Sequence, residues 1–270
     1  MSNERVVMND LQGLPRILRN KIPVYPIRMR DALDFYEAIA VLNIPKNSTN
    51  DPDIIQMSYL KFLLLISASK EAQYLRDRLL KLLKLIFRTE DVDIGIKYDG
   101  QYFSLAENPD YCFIEGIQYF VVVDGQIELS EFDFSKIKTL ISEQNMIDIE
   151  DENVNPEFKK AMDEAKEFMA KRGNKPAPLD ERLLAYQYEM KLTINDVFDM
   201  TLYQFNRSLE SISHIKNSDM IQHARFSGMV SFKDDSKLPT WLSAIERSKD
   251  NPLLIDADKL KGQMEQTFSG

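Results

Sequence analysis

Two histidines, His214 and His223, and one cysteine, Cys112, are the side chains best suited to metal ligation or nucleophilic catalysis in this chain. A tetrahedral metal site draws three or four such ligands at short spacings, and a nucleophile needs a base beside it. Neither arrangement is written locally here. The run Asp148-Ile-Glu-Asp-Glu has carboxylates for calcium, but it lacks a glycine at the turn and a closing glutamate at the required distance. No GxxxxGK[ST], GxGxxG or GxSxG segment occurs, so neither a phosphate cradle nor a nucleophile elbow is encoded. These residues lead to the expectation of a non-enzymatic protein with no cofactor, catalytic residue or metal site.

Recognition chemistry is better represented. Gln204, Asn206 and Arg207 stand at the start of a helix preceded by a short helix and the turn Met200-Thr201, the outline of a helix-turn-helix whose polar side chains suit base edges. Few cations follow them, however, and a nucleic-acid reader needs several phosphate contacts. Arg76, Arg78, Lys81, Lys84 and Arg88 form a basic helix face, the usual pattern of a solvated flank with its methylene stems laid on apolar neighbours. Phe226, Met229, Val230, Phe232, Trp241 and Leu242 crowd a short stretch. They could close a core, or they could remain open as a partner-binding groove, where aromatic anchors and pliable methionines fit an amphipathic helix.

The elements that must position these residues follow from periodicity. Gly13, Pro15, Pro23 and Pro26 favour an extended entry segment. Helices are expected over 31–42, with Leu33, Tyr36, Ile39 and Ala40 inward, over 52–66 after Asp51-Pro52, and over 70–88 with Leu75, Leu79, Leu82, Leu83 and Ile86 inward. From about 93 to 129 the period becomes two, and Asp99-Gly100 and Asp124-Gly125 each suit a two-residue hairpin, giving four short antiparallel strands. A helix over 132–145 turns Phe134, Ile137, Leu140 and Ile141 inward.

The expected class is therefore α+β and predominantly helical, in three parts. Residues 1–147 form an N-terminal α+β domain with a small four-stranded sheet, 148–178 an acidic linker and connector helix opened by Asn155-Pro156, and 179–270 an all-helical domain. In that last part Thr193 with Asp196 and Thr201 with Gln204 have capping-box spacing. Leu202, Phe205, Leu209 and Ile212 make an apolar stripe, Asn217-Ser218-Asp219 is expected to break it, and a further helix should run to Gly228. Leu238-Pro-Thr-Trp is expected to open one more short helix.

Composition narrows the classes of partner. With 34 basic and 43 acidic residues the formal charge is −9, which disfavours nonspecific attraction to nucleic acid or anionic membrane. A single cysteine allows no internal disulfide, and the longest apolar run, Phe62 to Ile66, is far too short to span a bilayer. The opening Met-Ser-Asn-Glu-Arg-Val-Val has no apolar signal core, so a cytoplasmic protein is expected.

Five segments in order carry a resemblance. They are Val24-Tyr-Pro-Ile-Arg-Met-Arg-Asp, Lys46-Asn-Ser with Asp51-Pro-Asp-Ile-Ile-Gln-Met-Ser-Tyr-Leu, Gln144-Asn-Met-Ile-Asp, Asp196-Val-Phe-Asp-Met-Thr-Leu-Tyr-Gln-Phe, and Phe226-Ser-Gly-Met-Val-Ser-Phe-Lys with Trp241. Together they resemble a family of tail-region proteins of tailed phages and prophages of Gram-positive bacteria, whose members are treated as tail assembly chaperones or left uncharacterised. That resemblance implies a partner, the tape-measure protein or another tail protein, kept soluble during assembly in the infected cell's cytoplasm. It carries no catalytic residue across. A structural subunit of tail or baseplate, which would be virion-associated, and a helix-turn-helix DNA-binding protein are the competing classes; self-association is compatible with each.

Overall fold

The computed structural model describes residues 3–18, 22–46, 51–106, 117–172, 177–227, 238, 240–243 and 245. The chain divides into two compact units, residues 1–155 with 179–208, and residues 156–178 with 209–270. The expected helical domain 179–270 is thus shared between the two units at Ser208.

The first unit is α+β. Its sheet has the order β4-β3-β5-β6, all neighbours antiparallel, from β3 (Val92–Tyr98), β4 (Gln101–Ser104), β5 (Gln118–Val123) and β6 (Ile127–Ser130). Both Asp-Gly pairs take the left-handed backbone that these tight turns demand, with φ of 50° and 79° at Asp99 and Gly100 and 52° and 62° at Asp124 and Gly125. Alternation places Val92, Ile94, Ile96, Tyr119, Val121, Val123 and Leu129 in the core. Gly95 breaks the row of side chains because Tyr102 of the neighbouring strand occupies the space a Cβ would need.

Helices α5 (Gln73–Phe87) and α6 (Glu131–Asn145) pack on this sheet. The former buries Leu75, Leu79, Leu82, Leu83 and Ile86 as its periodicity predicts. The latter opens on a Ser130–Asp133 capping box and buries Phe134, Ile137 and Ile141, while Leu140 is half-buried.

Four expectations are corrected near the N-terminus and in the last helix. Residues Asn3–Leu11 form helix α1, not an extended entry, because the prolines all lie beyond it and Gly13 closes it at φ 69°. The extended part is confined to β1 (Arg16–Ile17) and β2 (Pro23–Val24), which pair antiparallel. The 31–42 helix is α2 (Ala32–Ile39) between 3-10 turns at Met29–Asp31 and Ala40–Asn43. Its buried face is Ala32, Phe35, Ala38 and Ile39, whereas Leu33 is 73% and Tyr36 37% exposed and Ala40 is also outward. Periodicity admits either stripe; packing on α5 selects the one with two alanines, and Asp34 and Glu37 then meet Lys81 at 2.8 and 3.1 Å.

The 52–66 segment is two helices, α3 (Pro52–Gln56), capped by Asp51, and α4 (Tyr59–Ile66), capped by Ser58, separated at the extended Met57. Helices α7 (Pro156–Arg172), α8 (Leu179–Met190), α9 (Ile194–Asp199) and α10 (Leu202–Phe226) follow. No break occurs at Asn217-Ser218-Asp219: α10 runs unbroken for 25 residues, with Ser218 buried within it. Asn, Ser and Asp each cost a helix up to about 0.7 kcal/mol, less than the roughly 1 kcal/mol of a glycine and far less than a proline, and neither of those stands there. Gly228 and the terminal segment beyond 245 lie outside the described residues. Of the short helix expected at Leu238, Thr240–Ser243 form a turn closed by Ser243 N donating to Thr240 O at 2.9 Å.

Candidate functional site

Two of the polar residues that could have read bases, Gln204 and Asn206, are instead used to hold the first unit together. Both capping boxes form: Thr193 with Asp196, and Thr201 with Gln204, whose Oε1 accepts from Thr201 N at 2.8 Å. Gln204 Nε2 donates onward to Leu11 O at 2.7 Å, and Asn206 Nδ2 to Asn145 O at 3.5 Å. The α9–α10 turn pairs with the 27–29 segment through Met29 N to Met200 O and Leu202 N to Ile27 O, both 2.8 Å. Leu202, Tyr203 and Phe205 are buried, and Gln204, Asn206 and Arg207 are half-buried, so this helix start does not present the open polar face that groove entry requires. Asn145 completes the knot, accepting from Ile27 N at 2.9 Å and donating to Ile141 O, while Gln144 donates to Val24 O.

The acidic run is a latch. Glu152 lies 2.9 Å from Lys46 Nζ and 2.7 Å from Lys138 Nζ, and its carbonyl accepts from Lys46 N at 2.9 Å. Lys46 also donates to the carbonyls of Ile55 and Met57, and Lys138 sits 3.6 Å over the Tyr59 ring. Burial alone would raise the Glu152 pKa; hydrogen bonds and charge from Lys138 and Lys46 outweigh it and hold the carboxyl below its ordinary value. Burial pushes the Tyr59 hydroxyl up, beside the carbonyl of Ile44. Among the described residues no group of three His, Cys, Asp or Glu side chains is arranged to hold a metal, and Cys112 lies outside them. His214 Nε2 donates to Thr240 O at 3.0 Å.

The α5 basic face is likewise engaged within the unit. Lys84 pairs with Glu90, Lys81 with Asp34 and Glu37, and Arg76 and Arg88 donate to the carbonyls of Leu105 and Pro26.

The apolar candidates behave differently. Phe226 is 80% exposed, Trp241 62% and Leu242 74%, so the described members of the stretch do not close a core; Met229, Val230 and Phe232 lie outside the described residues. The His214–Thr240 bond holds the Trp241 turn beside the middle of α10, roughly 18 Å along the helix from Phe226 at 1.5 Å per residue. These side chains therefore line a helix rather than converge in one pocket. Ile215, Met220, Phe158 and Phe168 of the same unit are also exposed. Periodicity places Phe158 and Met220 on apolar stripes of their helices but passes over Phe168 and Ile215, because exposed apolar surfaces have no fixed spacing. Among the described residues, every buried apolar side chain belongs to the first unit.

Residues 171–246 match the family model of the YomV second domain, YomV being a phage/prophage-type protein. This segment of the chain is similar to a phage-associated family. The matched stretch runs from the end of α7 through α8, α9 and α10 to the Trp241 turn. No curated protein and no solved structure matches the chain. No helix among the described residues is long and apolar enough to cross a membrane.

Proposed function

We propose that the chain is a phage tail assembly chaperone that binds the tape-measure protein through the apolar side of its helical unit, with no bond made or broken. The observation that carries this reading is the uncovered set Phe158, Phe168, Ile215, Met220, Phe226, Trp241 and Leu242 in a unit whose described residues enclose no apolar side chain. Exposed aromatics of that density mark an interaction surface. A long helical client offers amphipathic stripes that such a surface can cover by many weak contacts. Basic and acidic residues nearly balance in 156–178 and 209–270, so the charge of −9 falls almost wholly on the other unit. The helical unit can thus approach a client of either sign, while the acidic body keeps the complex dispersed in the infected cell's cytoplasm.

Co-expression with the tape-measure protein of the same phage should raise that protein's soluble yield, and the gain should fall when Phe226, Trp241 and Leu242 are together changed to Ala. An unchanged yield, or recovery of the chain in fixed stoichiometry from purified mature particles, would overturn the reading; the latter result would make it a tail or baseplate subunit.

A further inference from the structure

A second feature lies on the first unit and is independent of client binding. The 26–31 segment and the C-terminal end of α5 enclose an open cleft of about 320 Å3, lined by Pro26, Arg28, Arg30, Asp31, Lys84 and Arg88, with Glu90 at its rim. Four cations face it against two carboxylates. Two of the cations are already engaged, Arg30 with Asp199 and Lys84 with Glu90 at 2.9 Å. Arg88 is fixed, its guanidinium 4.5 Å over the Tyr25 ring with one Nη2 hydrogen given to Pro26 O at 3.2 Å, which leaves most of its five donors uncommitted by that bond. Arg28 is exposed and has neither a hydrogen-bond nor an ion-pair partner for its side chain among the described residues, although its backbone is tied to Thr201 by an antiparallel bridge.

We propose that this cleft is an oxyanion site that takes a phosphate group between Arg28 and Arg88. Two guanidinium groups with parallel N–H donors match the edges of a tetrahedral oxyanion better than ammonium groups do. The electrostatics agree: burial first, and then the charge of Arg28, make the Arg88 cation less favourable, with Asp31 the one carboxylate opposing that effect, so an incoming anion relieves a repulsion already present. Pro26 and Leu85 supply an apolar wall on which the organic part of a phosphate monoester could rest.

The test is isothermal titration of the full chain with inorganic phosphate, and separately with adenosine monophosphate, at ionic strength matched by chloride. Saturable binding of phosphate is expected, weakened about tenfold or more in Arg28→Gln, as befits loss of a charge-assisted hydrogen bond, and unchanged in Lys136→Gln, which lies outside the cleft. Arg88→Gln should weaken it similarly; if that variant does not fold, Arg28→Gln decides alone, because its side chain supports nothing else. Equal affinity for the two probes assigns the site to free phosphate, and tighter binding of the nucleotide assigns it to a phosphate monoester. Absence of saturable binding beyond chloride, or wild-type affinity in Arg28→Gln, overturns the proposal.

Discussion

The sheet-bearing unit and the helical unit differ in how much of their own apolar surface they cover. In the first, α5 and α6 close over a sheet whose inward residues reach near-zero exposure, and buried polar groups such as Asn145 find partners on neighbouring segments. In the second, phenylalanines, a tryptophan and a leucine lie open along helices that bury Ser218 and no apolar side chain among the described residues. Burying such side chains is the main favourable term in folding, about 25 cal/mol per Å2. A unit that leaves them in water is therefore adapted to something other than its own stability. The contrast separates residues that hold the protein together from apolar residues that its own fold leaves uncovered.

That separation can be broken or sharpened by mutation. The largest effect is expected at Phe205, fully buried and edge-on to Tyr186 at 5.1 Å: Phe205→Ala should cost about 3–5 kcal/mol in chemical denaturation. Next comes the latch, where Lys46→Met removes a cation that is 4% exposed. It leaves Glu152 with Lys138 alone, so the loss should be about 2–3 kcal/mol, below that for a fully buried pair. Gly95→Ala would force a methyl into Tyr102 and the Phe103 carbonyl, lowering stability by about 1–3 kcal/mol. A comparable loss from any apolar residue of the helical unit would erase the contrast.

The pH dependence is a finer probe of the same latch. The carboxyl of Glu152 is held below its ordinary value of about 4.5 in the folded protein, so its contribution is full above that pH and is lost as pH falls through the depressed folded value. The stability difference between wild type and Glu152→Gln should accordingly be constant near neutrality and shrink in acid, measured by urea midpoints across the range. A difference that grew in acid would refute the assignment. The smallest effect is expected for Trp241→Ala and Leu242→Ala, each within about 0.5 kcal/mol in the isolated protein, because neither side chain is enclosed. A fall in melting temperature of many degrees would place the indole in a core after all.

Much of the fold was legible. The two Asp-Gly hairpins, the Asp51-Pro52 helix start, the α5 stripe and both threonine caps depend on backbone sterics and on contacts within four residues, which a linear pattern records, whereas the new start at Ser58 that splits the 52–66 helix was not read. The α2 face was not legible, since Leu33–Tyr36–Ala40 and Ala32–Phe35–Ile39 have the same period and only the approach to α5 distinguishes them. Nor was the continuity of α10 through Asn217-Ser218-Asp219, where weak local preferences yield to a long hydrogen-bonded helix. The exposed apolar set was half legible: its types and crowding at Phe226 and Trp241 were visible, but crowding cannot say whether an aromatic is covered.

By itself the sequence determined the class of the fold, its turns and caps, and the lack of any local catalytic or metal-binding pattern, because each is set by residue type and near neighbours. Tertiary structure alone decided that Gln204 and Asn206 brace the body, that the acidic run is clasped by Lys46 and Lys138, and that Phe226, Trp241 and Leu242 stay open. Those outcomes depend on which distant segments meet, and burial is a property of that meeting rather than of any residue alone.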